Sequence, residues 1–182
     1  MSTDPPQIHT VTAFFELSAG TWNHQYTSYI LPTRGHSRGG KSTIILTPLS
    51  PQDPQLQDLL QLSPGSPSSI SGLRAAWQGQ QDEDTTTYQG SSLLVLLPTS
   101  SENPQGELVQ QQQTPTDSSV RGRFLLGQDG VLSLQTQIGA VTCEERIWFA
   151  SENLRLRTRL LQHEGGYSIA SFHSEVRKLT AK

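Results

Sequence analysis

The segment from residue 144 to residue 160 contains the densest group of side chains that could do chemistry. Two adjacent glutamates precede a Trp-Phe pair, and arginine then alternates with leucine. Because side chains alternate between the two faces of a strand, the arginines share one face and the leucines the other. The arginines are Arg155, Arg157 and Arg159, and the leucines are Leu154, Leu156 and Leu160. A row of arginines can bind carboxylates through paired hydrogen bonds, and Glu145 can accept from N–H donors of the same ligand.

The pattern leaves two orientations of this strand open. Alternation alone favours leucines toward a core and arginines toward water. In the other orientation the arginine row points into a cavity and binds the carboxylates of a ligand. The tryptophans present a similar choice, because a strand tryptophan usually belongs to the core but can also stack on a flat conjugated ligand. The three tryptophans are Trp22, Trp77 and Trp148.

The elements that must position these residues are mostly strands. Ten segments rich in aromatic and β-branched residues are separated by turn residues. They are residues 21–31, 42–47, 73–78, 85–97, 107–112, 120–126, 131–137, 143–150, 153–162 and 167–176. One short helix is predicted after Thr10 or Thr12, ending at Gly20, and a second opens at Asp53. Such a series indicates an antiparallel sandwich or barrel, and a barrel with a partly polar lumen needs fewer apolar residues.

Composition excludes several classes of protein. The chain has 182 residues, 33% hydrophobic and 16% charged, with a net charge of −3. These values favour one folded domain with polar loops and argue against a nucleic-acid-binding protein. The sequence contains no apolar run of membrane-spanning length and no secretory signal, so we expect no membrane insertion. With Cys143 as the single cysteine, the expected location is the cytoplasm.

Metal and nucleophile chemistry are poorly supported. Cys143 lies beside two glutamates, which disfavour a thiolate, so it is predicted to be a small buried side chain rather than a nucleophile. No metal site is expected, because the histidines lack the spacing of ligands. The histidines considered are His24, His36, His163 and His173.

Beyond these patterns, the chain resembles the S/U-type phycobilin lyases, the CpcS/CpeS family of cyanobacteria and some algae. The similarity is strongest over residues 144–159 and continues through residues 165–177. Residues 14–22, 75–79 and 122–130 also match landmarks of the family. The resemblance covers about residues 12–178, which is nearly the whole chain.

The resemblance implies an all-β fold, a lipocalin-like antiparallel barrel of about ten strands with one or two short helices. It implies that the barrel binds an open-chain bilin, phycocyanobilin or a related one, as a substrate and not as a prosthetic group. The bilin would be attached by a thioether bond to a cysteine of a phycobiliprotein α or β subunit. The implied catalytic residues are Glu145, Arg155 and Arg157, and the implied bilin-binding residues are Trp77, Tyr26, Arg159 and Trp148.

The expected organisation is a flexible lead over residues 1–11, one bilin-binding domain over residues 12–178, and a tail over residues 179–182. A homodimer, or a heterodimer with a related lyase, is expected. Two other functions stay open. One is a non-catalytic bilin carrier or accessory subunit that acts with a related S-type lyase. The other is a lipocalin-like carrier of apolar ligands, against which an inward Arg155 or Arg157 would argue.

Overall fold

Ten antiparallel strands close into one barrel in a computed structural model that describes residues 5–31, 37–61, 70–82, 87–100, 104–112 and 118–179. Each strand pairs with its neighbours along the chain, and the first strand pairs with the last. The strands are β1 (Gly20–Leu31), β2 (Ser37–Leu49), β3 (Ser71–Gln81), β4 (Thr87–Pro98), β5 (Gln105–Gln112), β6 (Ser118–Leu126), β7 (Leu132–Ile138), β8 (Val141–Ser151), β9 (Leu154–His163) and β10 (Ser168–Arg177). The predicted all-β barrel of about ten strands is confirmed.

Two short helices accompany the barrel, as the capping residues predicted. Helix α1 (Val11–Ser18) begins at Thr10, whose side chain accepts a hydrogen bond from the Ala13 amide at 3.1 Å. Helix α2 (Pro54–Gln61) follows Asp53, whose carboxylate accepts from the Gln55 amide at 3.0 Å. Neither helix is long and apolar enough to cross a membrane, and this finding applies to the described residues.

Helix α1 covers one end of the barrel and fills it with apolar side chains. Phe14 and Phe15 are buried, and the Phe14 ring lies edge-on to Phe149 of β8 at 5.2 Å. The same cluster contains inward residues of most strands, including Trp22. Helix α2 packs instead on the outer face of β4 and β5. The apolar core is therefore concentrated at the α1 end, and the other half of the lumen holds polar groups.

The core begins earlier in the chain than the sequence suggested. Ile8 and Val11 are 4% and 3% exposed and belong to the cluster around Phe14. The flexible lead over residues 1–11 stays a prediction, with residues 1–4 outside the described residues, but Ile8 and Val11 pack into the core. The physical reason is that α1 does not cover the barrel end alone, so apolar side chains before and at its first turn complete the cover.

Arg177 of β10 binds the C-terminal end of α1 to the barrel through hydrogen bonds. Its guanidinium donates to the carbonyls of Leu17 and Ala19, and to that of Glu152 in the β8–β9 turn. The carbonyls at a helix C-terminus lack intrahelical partners, so a cation placed there satisfies them. The guanidinium also lies 4.2 Å from the ring centroid of Trp22. Gly20, with a φ of +125°, supports the approach, because a Cβ there would lie 3.0 Å from the Arg177 side chain.

Replacing Arg177 with alanine should lower the free energy of unfolding by about 2–4 kcal/mol, because several hydrogen bonds and a cation–π contact are lost together. Urea denaturation measures the change. Lys178→Ala is the matched control, since the exposed Lys178 side chain should contribute no more than about 0.5 kcal/mol. Equal stabilities of the two variants would show that α1 is held by apolar packing alone.

Candidate functional site

The arginines of β9 point into the barrel. Arg155 is 4% exposed and bonds to Ser18 of α1, while Arg157 and Arg159 pair across the sheet with residues whose side chains also face inward. The expectation from alternation, that the leucines face the core, is wrong. The outward side chains are the half-buried Leu154, Leu156 and Leu160. Carboxylates and imidazoles inside the barrel provide the partners that make an inward arginine row stable.

The deepest polar layer is the ion pair between Arg155 and Glu175 of β10. The Arg155 Nη2 lies 2.5 Å from the Glu175 Oε2, and its Nη1 donates to the Ser18 hydroxyl at 3.1 Å. Glu175 is fully buried. Burial alone would raise the pKa of its carboxyl, but the charges of Arg155 and Arg157 outweigh that effect and lower the pKa below its usual value. Glu175 is therefore ionised at neutral pH.

Arg157 lies one step higher in the lumen and is less completely paired. Its Nη2 is 3.6 Å from the Glu175 Oε1 and 3.5 Å from the Nδ1 of His173. Among the described residues, the Arg157 Nε and the Glu175 Oε1 are buried without a hydrogen-bond partner. Arg157 thus holds a donor that its neighbours do not use, and its side chain is 23% exposed.

Two histidines from the first and last strands meet beside Arg157. The Nε2 of His24 lies 2.9 Å from the Nδ1 of His173, and the rings stack with centroids 5.2 Å apart. Tyr26 stacks against both rings at 5.7 Å. Burial and the charge of Arg157 lower the pKa of His24 to about 4 and that of His173 to about 2. Both imidazoles are therefore neutral at pH 7.

The third polar layer lies toward the barrel end away from α1. The Arg159 Nε is 3.0 Å from the Glu145 Oε1 and 3.3 Å from the Cys143 sulfur. Burial lowers the pKa of Arg159, but the charge of Glu145 outweighs it and the net shift is upward. This layer borders a cavity of about 110 Å³ with both polar and apolar walls. The polar lining residues are Gln110, Gln112, Thr136, Cys143, Glu145 and Arg159, and the apolar ones are Val120, Leu134, Ile138, Val141 and Leu161. The cavity is the part of the lumen that side chains do not fill.

The structure brings most of the predicted site residues into one lumen. Tyr26, Glu145 and the three arginines form the polar group described above. Trp77 also points inward, packs partly against the apolar core, and lies over Gly90, where a Cβ would come within 2.6 Å of the indole. Trp148 is the exception, because it is three residues from Glu145 and lies on the outer face of β8, opposite Leu156. Trp148 therefore does not share the lumen with the other residues that were predicted to bind the ligand.

Three residues of the site were missed by sequence reasoning. They are Glu175, His24 and His173. Each lies an even number of positions from a residue on the same strand whose side chain faces inward. Because side chains alternate along a strand, that spacing would have placed the residue inside the barrel. The residues of the pair are 149 positions apart, so their contact follows from the closure of β1 onto β10. No group of three or more His, Cys, Asp or Glu side chains suited to a metal occurs among the described residues.

Comparison with known proteins points to one family. The model of the family described as CpeS-like protein matches residues 10–178. The chain is 42% identical to chromophore lyase CpcS/CpeS 2 of Synechococcus sp. (strain JA-3-3Ab), over 94% of this chain and 92% of the relative. It is 32% identical to the phycocyanobilin lyase subunit CpcS of Picosynechococcus sp. (strain ATCC 27264 / PCC 7002 / PR-6), over 92% and 86%.

A solved structure supports the same relationship. The S-type phycobiliprotein lyase CPES from Guillardia theta superposes with a TM-score of 0.80 at 28% identity. The alignment covers 97% of this chain and all of that chain. The fold is therefore shared over nearly all of this chain and the whole of that one.

Arg155→Met should destabilise the barrel by about 3–5 kcal/mol, because it leaves the buried charge of Glu175 without its main partner. Adding Glu175→Gln should recover most of the loss, since the uncompensated charge is then removed. Urea unfolding of the wild type, both single variants and the double variant gives the coupling between the two sites. Additive effects would mean that the two side chains stabilise the barrel independently.

The free energy of unfolding should fall as the pH drops from about 6.5 toward 4. The unfolded histidines titrate near pH 6.5, while those of the folded chain titrate at about 4 and about 2. The unfolded chain therefore binds more protons in this interval, which costs up to about 1.4 kcal/mol per pH unit for each histidine. Above pH 6.5 this contribution is fully present.

Denaturation curves at several pH values measure the slope. His24→Gln combined with His173→Gln should flatten it between pH 6.5 and 4. His163→Gln is the control, because that imidazole stacks on Tyr167 in the β9–β10 turn instead of joining the pair. An unchanged slope in the double variant would rule out the histidine pair as its source.

Proposed function

We propose that this chain, which belongs to the CpeS-like protein family, is a chromophore lyase that binds an open-chain bilin and attaches it to a phycobiliprotein subunit. The names of its relatives as chromophore lyases support the reaction class. The polar lumen supports the ligand class, because a carrier of apolar ligands would have an apolar interior. A bilin combines two propionates, a row of pyrrole nitrogens and a flat conjugated surface.

The observation that carries the proposal is the charge of the lumen. In the polar half of the lumen, the guanidiniums of Arg155, Arg157 and Arg159 face two carboxylates, those of Glu145 and Glu175. Because Arg155 and Arg157 share the Glu175 carboxylate, this group carries one net positive charge. Arg157 carries the unused donor, so it is the residue best placed to bind a propionate.

The other two arginines take different roles in this proposal. Arg159 is partly exposed beside the cavity, so it can bind the second propionate or hold Glu145 in place. Arg155 is committed to Glu175 and Ser18, so we assign it as a positioning residue that supports Arg157 through Glu175. Tyr26 and Trp77 present aromatic surface to the conjugated rings.

The size of the cavity indicates how the bilin enters. A volume of about 110 Å³ is below the roughly 300–1,000 Å³ of typical small-molecule pockets. Part of the bilin then lies inside, with the remainder at the barrel end away from α1. A reactive group at that end is accessible to the thiol of a docked acceptor protein.

The proposed reaction is the addition of the acceptor thiol to the exocyclic ethylidene group of the bilin. The sulfur–carbon bond forms at the exocyclic carbon, the carbon–carbon double bond becomes single, and the thiol proton is balanced by a proton added at the ring carbon. Glu145 accepts from pyrrole N–H groups and favours the protonated, more electrophilic bilin. The nucleophile comes from the acceptor, so the lyase contributes positioning and shielding from water.

The finer identities are part of the same proposal. Phycocyanobilin is the proposed bilin, in agreement with the name of the Picosynechococcus relative. The acceptors are phycobiliprotein α or β subunits in the cytoplasm, and the working assembly is a homodimer or a heterodimer with a related lyase.

Glu145→Gln and Arg157→Met should each reduce bilin transfer by roughly tenfold to a hundredfold, because a hydrogen bond to a charged group is worth about 1.5–3 kcal/mol. The assay is covalent, denaturation-resistant bilin fluorescence on a phycobiliprotein subunit co-expressed with phycocyanobilin-producing enzymes. Glu144→Gln is the matched control, since Glu144 neighbours Glu145 but lies on the outer face of β8. Full transfer by a folded Glu145→Gln variant would remove Glu145 from the site.

A second candidate function is an accessory subunit, favoured by the name of the Picosynechococcus relative as a lyase subunit. The same co-expression separates the two. Fluorescent product with this chain as the sole lyase supports independent activity. Product that requires a related S-type lyase supports the accessory role.

A further inference from the structure

The hydrogen bonds around the histidine pair run in one direction. A guanidinium can only donate, so the Arg157 Nη2, which lies 3.5 Å from the His173 Nδ1, favours the tautomer in which that nitrogen is unprotonated and accepts. His24 then donates from Nε2 to that same nitrogen at 2.9 Å. The His24 Nδ1 is left to accept from the Ser42 hydroxyl at 2.8 Å. His173 donates from Nε2 to Ser171 at 3.0 Å.

This chain of hydrogen bonds crosses from β1 to β10, the pair of strands that closes the barrel. It runs from Ser42 on β2 through His24 on β1 and His173 on β10 to Ser171, whose hydroxyl is 3.5 Å from the Arg159 carbonyl on β9. Its direction depends on Arg157, because the His173 Nδ1 stays unprotonated while that guanidinium points at it. A ligand carboxylate that engages Arg157 removes this constraint.

We propose that the His24–His173 pair takes up a proton when Arg157 binds a carboxylate of the ligand, so that the pair supplies the second positive charge in the lumen. The inference rests on the proposed function and extends it. A bilin brings two propionates, whereas the ion-paired group in the polar half of the lumen carries one net positive charge. A proton on the histidine pair balances the other propionate.

The proton has a defined place in the pair. It comes from solvent and adds to the His24 Nδ1, while the Ser42 hydroxyl rotates from donor to acceptor. The His24 Nε2 proton can then move to the His173 Nδ1, which Arg157 no longer blocks. No bond other than N–H and hydrogen bonds forms or breaks, and no oxidant or reductant takes part.

The charged and titratable neighbours of the pair keep it neutral until the ligand arrives. Arg157, Arg155 and Arg159 oppose protonation, and burial acts in the same direction. Glu175 favours a proton on His24. The surrounding groups are Tyr26 on β1, Arg155, Arg157 and Arg159 on β9, Glu175 on β10 and Glu145, bound to Arg159, on β8. An added carboxylate offsets the arginine charge nearest to His173.

The test measures how many protons the protein takes up when it binds biliverdin, an open-chain tetrapyrrole with two propionates. Calorimetric titrations at pH 7 in buffers of different ionisation enthalpy give this number directly. We expect uptake of about one proton per biliverdin, and close to none for biliverdin dimethyl ester, which lacks the carboxylates. The absorption band of the bound bilin shows how far the pigment itself is protonated. That contribution is subtracted from the measured proton uptake.

The variants identify the proton acceptor. His24→Gln and His173→Gln should each lose the uptake while retaining biliverdin binding that is weakened by roughly tenfold, and His163→Gln should leave both unchanged. Uptake that is unchanged in both folded histidine variants overturns the inference. If neither variant folds, the comparison of acid with ester in the wild-type protein decides, and equal uptake for the two overturns it.

The outcomes also separate this inference from the lyase proposal. Bilin transfer without proton uptake on biliverdin binding overturns the histidine proposal alone. Proton uptake in a protein that never transfers bilin, even beside a related lyase, overturns the lyase proposal alone. A wild-type protein that does not bind biliverdin overturns both.

Discussion

The ion pair between Arg155 and Glu175 is the interaction on which the polar half of the barrel depends. Removing two charges from water costs several kcal/mol for each ion, and close geometry with further hydrogen bonds must repay that cost. Here the pair joins β9 to β10, and Ser18 extends it to α1. Glu175 then attracts Arg157, and Arg157 determines which nitrogen of His173 accepts hydrogen bonds. The layer of Arg157 and the histidine pair is therefore oriented by the ion pair beneath it.

The barrel is divided between an apolar half and a polar half. At the α1 end, aromatic and aliphatic side chains fill the interior, as in an ordinary protein core. At the other end, arginines, glutamates and histidines occupy inward positions, and Leu154, Leu156 and Leu160 of β9 lie outside. This division explains why a folded chain can have only 33% hydrophobic residues. Charged side chains that pair with one another replace core leucines, and the space they leave is available to a ligand.

Local patterns in the sequence were enough to locate the strands and helices. Asp53 predicted the start of α2, and Thr10 was one of the two candidate caps for α1. Turn residues separated ten strands in the right order. The direction in which β9 faces was not predictable from alternation, because a strand of alternating Arg and Leu defines two faces without saying which is inside. The histidine contact was hidden for another reason, since only the pairing of β1 with β10 brings His24 to His173. Trp148 was predicted to line the site with Glu145. The two residues are three positions apart on β8, and this odd spacing already puts their side chains on opposite faces of the strand.

Closure of the barrel also links folding to function. His24 belongs to the first strand, and its partners His173 and Glu175 belong to the last. The site is consequently assembled only when the two ends of the chain meet, a contact of high sequence separation that is costly in loop entropy. A chain still emerging from the ribosome, without β10, has neither the carboxylate that holds Arg155 nor the second imidazole. The polar site is therefore the last part of the protein to form, because the residues that complete it are among the last to be synthesised.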